Sequence, residues 1–197
     1  DGAPAAAEPT DDELLDALLG LAFVAEAEVA RSGSWGAFVA TLIEAKRVTK
    51  LVPQPMESSA TPGGLWVAAE RLPQFAAVFE GAPLSPPIAA PAEFAAQSWT
   101  AEDALVEIVR GRLQGLGPVS VAALAGSMAL PISDLDLALA KLAGEGLAMK
   151  GTFTPGTMES EWCDRALLAR IHRYTVKRLR SEIEPVTSQD FMRFLCR

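Results

Sequence analysis

Arg170, Arg173, Lys177 and Arg180 recur at three- and four-residue spacing, so on a helix of about 100° per residue they share one face. A row of fixed cations is suited to neutralising phosphates along a polyanion. Other chemistry is harder to find. His172 stands alone, and Cys163 and Cys196 have no CxxC partners. A structural zinc site needs about four ligands, so none is expected. The chain has no GxxxxGK[ST] phosphate loop and no nucleophile elbow, and the spacing of its carboxylates pairs none for acid–base work. No catalytic residue and no metal site are therefore assigned.

The cationic row is unusual in its setting. The 197-residue chain has a formal charge of −8, yet residues 162–197 carry +4 and residues 1–161 carry −12. Such asymmetry points to a polyanion-facing patch or to an acidic partner inside the molecule. Half of the residues are apolar, which argues against disorder, and the alanine- and leucine-rich composition favours helices. No apolar run reaches the roughly 20 residues that cross a bilayer, and no signal-peptide pattern is present. Two thiols make no disulfide framework, so a cytoplasmic protein without a membrane partner is expected. The opening "DGAPAAAEPT" has linker composition, and the chain is expected to be a piece of something longer.

The elements that would hold the row are mainly α with small β-hairpins, an α+β reading. After a linker at 1–10, "DDELLDALLGLAFVAEAEVA" places acid at a helix start, with Leu14, Leu15, Leu18 and Leu19 on one face. "SWGAFVATLIEAKR" repeats the pattern, with Ser34 as N-cap and Phe38, Leu42 and Ile43 turned inward. "VTKLV" and "GLWVAAERL" then read as two strands across a Pro/Ser/Gly-rich loop. Helices followed by a two-stranded ribbon is the order of a winged helix, here over residues 11–80. Residues 81–99 form a Pro/Ala-rich connector.

The order returns over residues 100–162. Thr100 precedes a helix with Asp103 three positions on. Gly117-Pro118 precedes a second helix, and Pro131 opens a third that ends at Gly144 or Gly146. Leu135, Leu139 and Leu142 share the core face of that third helix. A hairpin tip is expected at Thr154-Pro155-Gly156-Thr157. The fold class is thus a tandem of winged-helix modules. Residues 163–197 add the long basic helix and, behind Thr187, the start of an incomplete third module. Opposite the basic row lie Leu167, Leu168, Ile171, Thr175, Leu179 and Ile183, with Arg178 set to pair with Glu182 one turn on.

Two readings of the row stand: a solvated outer face of a packed helix, or a strip on nucleic-acid phosphates. Docking onto the acidic bulk of the chain, or onto a sister subunit, is a third. Base reading by the preceding third helix is disfavoured. "PISDLDLALAKLAGEG" offers Asp134, Asp136 and Glu145 against Lys141, with no Arg, Asn or Gln for a bidentate base contact. Trp35, Trp66, Trp99 and Trp162 read as packing anchors rather than stacking platforms.

Two stretches carry a resemblance. "EWCDRALLARIHRYTVKRLRSEIEPVTSQDFMRFL" resembles the W-C-(E/D)-R-x-L-L-A-R-I-H-R stretch of the Lhr (large helicase-related) family of bacterial superfamily 2 DNA helicases, and "GGLWVAAERLP" is similar to a stretch upstream of it. The resemblance implies a segment of the C-terminal region of an ATP-dependent 3′-to-5′ DNA helicase acting in repair. That region is understood as a winged-helix array, related to winged-helix DNA glycosylases and implicated in oligomer formation. The implied partners are DNA without sequence specificity, the helicase core of the same protein and further copies in a homo-oligomer. ATP and Mg belong to that core, and this segment, lacking ATPase motifs, is expected to hold no cofactor. No glycosylase residue carries over. A protein–protein assembly module and part of a glycosylase-like domain are the alternatives.

Overall fold

A computed structural model describes residues 10–54, 63–182 and 187–196. The expected linker apart from Thr10, most of the first hairpin loop, and Ile183 of the apolar stripe lie outside these residues.

Helix α1 (Asp11–Leu21) begins at a capping box. Thr10 Oγ1 accepts the Glu13 N–H at 3.3 Å, and the Glu13 carboxylate accepts the Thr10 N–H at 2.9 Å. Leu14, Leu15 and Leu18 are buried as their spacing requires, and Leu19 is half-buried. The helical pattern in the sequence runs on past Leu21, but the chain does not. Ala22 takes φ 67°, and strand β1 (Val24–Ala25) and helix α2 (Glu26–Arg31) follow. The break places Phe23 at 0 % exposure, its ring edge-on to Phe75 with centroids 6.2 Å apart. Burying a whole aromatic outweighs a few tenths of a kcal/mol of helix propensity per residue.

Helix α3 (Trp35–Glu44) buries Val39 and Leu42 and half-buries Phe38 and Ile43. Ser34 occupies its N-cap position, but the hydroxyl makes no cap bond. Strands β2 (Val48–Leu51) and β3 (Leu65–Ala68) pair antiparallel, and a 3₁₀ turn at Ala69–Arg71 leads into α4 (Leu72–Val78). The Pro/Ala-rich stretch then contributes strand β4 (Leu84–Ser85), which pairs with β2, and the single turn α5 (Ala92–Ala95). The first sheet has the order β1-β3-β2-β4.

Helix α6 (Ala101–Gly115) starts at Thr100, whose Oγ1 accepts the Asp103 N–H at 3.1 Å. Strand β5 (Val119–Ser120) precedes α7 (Val121–Met128), and α8 (Ile132–Gly144) follows Pro131. Gly146, at φ 74°, turns the chain into β6 (Ala148–Gly151). Strand β7 (Glu161–Asp164) completes a sheet of order β5-β7-β6, and α9 (Arg165–Ser181) and α10 (Ser188–Leu195) end the described chain. The fold is mixed α+β, mostly helical, with small antiparallel sheets.

The order helix, short strand, helix, helix, strand, strand occurs twice. The registers coincide as well. In the first unit Val24 and Lys50 flank Trp66; in the second, Val119 and Lys150 flank Trp162.

One core runs through both units. It joins Phe23, Leu65, Leu72 and Phe75 to Ile108 and Val109 of α6, and onward to Leu135, Leu139 and Leu142 of α8. A smaller cluster of Leu14, Leu18, Val39, Leu42 and Val48 fills the first unit. The close approach of α6 to the end of α1 depends on Gly111. A Cβ there would meet the Gly20 carbonyl oxygen at 2.8 Å, inside contact distance. Beside it, Arg112 is buried with its guanidinium 4.6 Å from the Phe23 ring centre. Its Nη2 donates to Glu28 at 2.6 Å and its Nη1 to the Phe23 carbonyl at 3.1 Å, binding α6 to α2.

Candidate nucleic-acid interface

Helix α9 leaves the second sheet in a fixed direction. The Arg165 N–H donates to the Leu147 carbonyl at 2.8 Å, as the Ala69 N–H donates to the Arg47 carbonyl at 2.8 Å in the first unit. The Asp164 carboxylate caps the helix by accepting the Leu167 N–H at 2.7 Å. Cys163, next to it, is wholly buried, and burial raises its thiol pKa, leaving it inert. Cys196 is exposed, and among the described residues no three potential ligands gather into a metal-binding group.

Arg170, Arg173, Lys177 and Arg180 are all exposed, and their shared face is solvent-facing along its length. No carboxylate among the described residues lies within ion-pair distance of any of the four. The neighbouring Arg178 does pair with Glu182, at 3.1 Å, as their spacing predicts. The opposite stripe is only partly covered by the described residues. Leu167 and Leu168 are half-buried, whereas Ile171, Thr175 and Leu179 are exposed, and no residue of α9 is buried.

Several cations in the body are paired instead. Lys50 meets Glu26 at 3.0 Å, Arg110 meets Glu145 at 2.8 Å, and Lys141 meets Asp103 at 2.7 Å. The Lys141 contact, followed by the Thr100 hydroxyl, holds the Asp103 carboxyl below the usual carboxylate range. The lone lysine of α8 is thereby engaged, and the helix exposes Ile132, Asp134, Asp136 and Leu137. Helix α3 carries no Lys or Arg at all. Neither α3 nor α8 carries an Arg, Asn or Gln.

The second hairpin is pinned from within. The buried Glu161 carboxylate accepts the Phe153 and Thr154 N–H groups, each at 2.8 Å, and the Thr154 hydroxyl at 2.7 Å. These bonds, the Thr154 hydroxyl foremost, hold its pKa below the ordinary value. Glu26 is lowered likewise, first by the Gly64 N–H and then by Lys50. Sequence reasoning missed both roles.

The fold and the site define a mostly helical α+β body bearing a solvent-exposed cationic helix. No protein-family profile matches the chain. The chain is similar to "Lhr helicase/ probable uracil glycosylase" of Mycolicibacterium smegmatis, 27 % identical over 109 residues. The match covers 55 % of this chain and 7 % of that protein, so the chain spans a small fraction of its relative's length. The similarity supports a distant Lhr-related relationship and is consistent with a helicase-associated region. Among the described residues no single helix is long and apolar enough to cross a membrane.

Proposed function

We propose that the chain is a non-catalytic, helicase-associated region that positions DNA by its phosphate backbone, within a longer Lhr-type protein acting in repair. Two winged-helix units, residues 11–80 and 100–162, form its body, and 163–197 opens a third. The doubled element order, with its matching strand registers, supports that division. The observation that carries the functional reading is the contrast in pairing. Arg170, Arg173, Lys177 and Arg180 stand exposed and, among the described residues, without a carboxylate partner, on a body where Arg47, Lys50, Arg110, Arg112 and Lys141 form ion pairs. Phosphate contacts hold a protein on DNA without reporting sequence, as translocation demands. ATP and Mg act in the helicase core of the parent protein, and that core is the partner in cis.

The experiment is fluorescence anisotropy of the 197-residue chain with a labelled single-stranded oligonucleotide at 50 and 200 mM salt. Each phosphate contact contributes about 0.7 to the log–log salt slope on single strands, so four contacts weaken binding roughly 50-fold over that range. Arg173→Ala with Lys177→Ala lowers the slope by about 1.4, equally across oligonucleotide sequences. Binding at neither salt contradicts the proposal. A second reading, a protein-assembly surface that brings copies together, has its own support. Tyr174 and Leu179 of α9 and Phe191, Met192, Phe194 and Leu195 of α10 are exposed. Concentration-dependent self-association in light scattering, without DNA binding, would favour it.

A further inference from the structure

The two sheets carry the same pair of side chains at the same register. Lys50 lies opposite Trp66 with its ammonium 5.8 Å from the ring centre, and Lys150 lies opposite Trp162 at 5.5 Å. What surrounds the lysines differs. In the first unit the residue after β1 is Glu26, whose carboxylate takes Lys50 at 3.0 Å and the Gly64 N–H at 3.0 Å. The equivalent position, after β5, is Val121, which carries no charge. No carboxylate among the described residues pairs with Lys150, and the nearby Glu161 is occupied by the Phe153 and Thr154 N–H groups and the Thr154 hydroxyl. Lys50 is half-buried and neutralised. Lys150 is exposed and free.

We infer that Lys150, on the hairpin of the second unit, is a further phosphate contact in addition to those of α9. This rests on the nucleic-acid reading of that helix. Strand β7, which carries Trp162 beneath the Lys150 ammonium, runs directly into α9 through Asp164 and Arg165. The ligand is a backbone phosphate rather than a base. Trp162 is 7 % exposed and covered by the lysine, so its ring offers no stacking platform, while an ammonium acts on phosphate as a point charge. The first unit makes no such contact, because Glu26 already holds its lysine.

The test compares three variants of the full chain on the same labelled single-stranded oligonucleotide at 50 and 200 mM salt. Lys150→Gln removes the charge and keeps the length. Val121→Glu recreates beside Lys150 the carboxylate that neutralises Lys50. Lys50→Gln is the control. The inference expects Lys150→Gln and Val121→Glu each to lower the salt slope by about 0.7, so that the affinity ratio between the two salts falls roughly threefold. Combined, they do no more than either alone, and Lys50→Gln leaves the slope unchanged. An unchanged slope in Lys150→Gln, beside a lowered slope in Arg173→Ala with Lys177→Ala, overturns this inference alone. Salt-independent or absent binding by the unaltered chain overturns the reading on which it rests.

Discussion

Helices α4 and α9 leave their sheets by the same backbone bond and then diverge. The 3₁₀ turn and α4 are short and apolar, and they bury Leu72 and Phe75 against α6. Helix α9 is seventeen residues long, with no buried residue and, on one side, four cations that no carboxylate among the described residues pairs. The position in the repeat is the same, but its use has changed from joining units to presenting charge. The lesson is that a repeated scaffold does not repeat its chemistry. Lys50 and Lys150 make the same point on the strands, where a single residue, Glu26 or Val121, decides whether the lysine is spent inside the fold.

The largest expected effect lies in the joining helix. Phe75→Ala removes a fully buried ring and is expected to cost about 3–5 kcal/mol in denaturant unfolding. Ile171→Ala on α9 is expected to fall within about 0.5 kcal/mol, since that side chain is exposed. Equal costs would erase the distinction between the two helices. Leu139→Ala, wholly buried on α8, should cost about 2–5 kcal/mol. A change under about 0.5 kcal/mol would place that face outside the core.

Gly111→Ala sharpens the joint between units. The new methyl meets backbone rather than a yielding side chain, and a loss of about 1–3 kcal/mol is expected by thermal or urea unfolding. The smallest effect concerns pH. The folded pKa values of Glu161 and Glu26 lie below those of the unfolded chain. Their stabilisation is therefore complete above the ordinary glutamate value of about 4.3 and disappears as pH falls through the lowered folded values. Glu161→Gln should flatten the acid limb of a stability–pH profile below about pH 5. An unchanged limb would mean that the hairpin pin contributes nothing.

Much of this arrangement was legible in advance. The acidic run from Asp11 and the Thr100 cap announced helix starts, Leu135, Leu139 and Leu142 marked a core face, and Arg178 and Glu182 were spaced to pair. Such features are local, within one or two turns. The break at Ala22 was not legible, because what decides it is Phe23 packing on Phe75, some fifty residues away. Strand β4 was hidden within proline-rich sequence, since its pairing with β2 is a matter of register rather than composition. The four cations of α9 were visible as a row, but sequence could not say whether the acidic body reached them. That required seeing Glu26, Glu28, Asp103 and Glu145 engaged elsewhere.

On the proposed function, the four exposed cations of α9 serve a ligand and not the fold. The direct measurement replaces Arg170, Arg173, Lys177 and Arg180 together with Gln, and records thermal unfolding beside the salt dependence of oligonucleotide binding. The melting temperature is expected to stay unchanged, and the 50-to-200 mM affinity ratio to fall from at least roughly 50-fold to about threefold. A lowered melting temperature with unchanged binding and slope would contradict it, and would make the basic helix a part of the architecture.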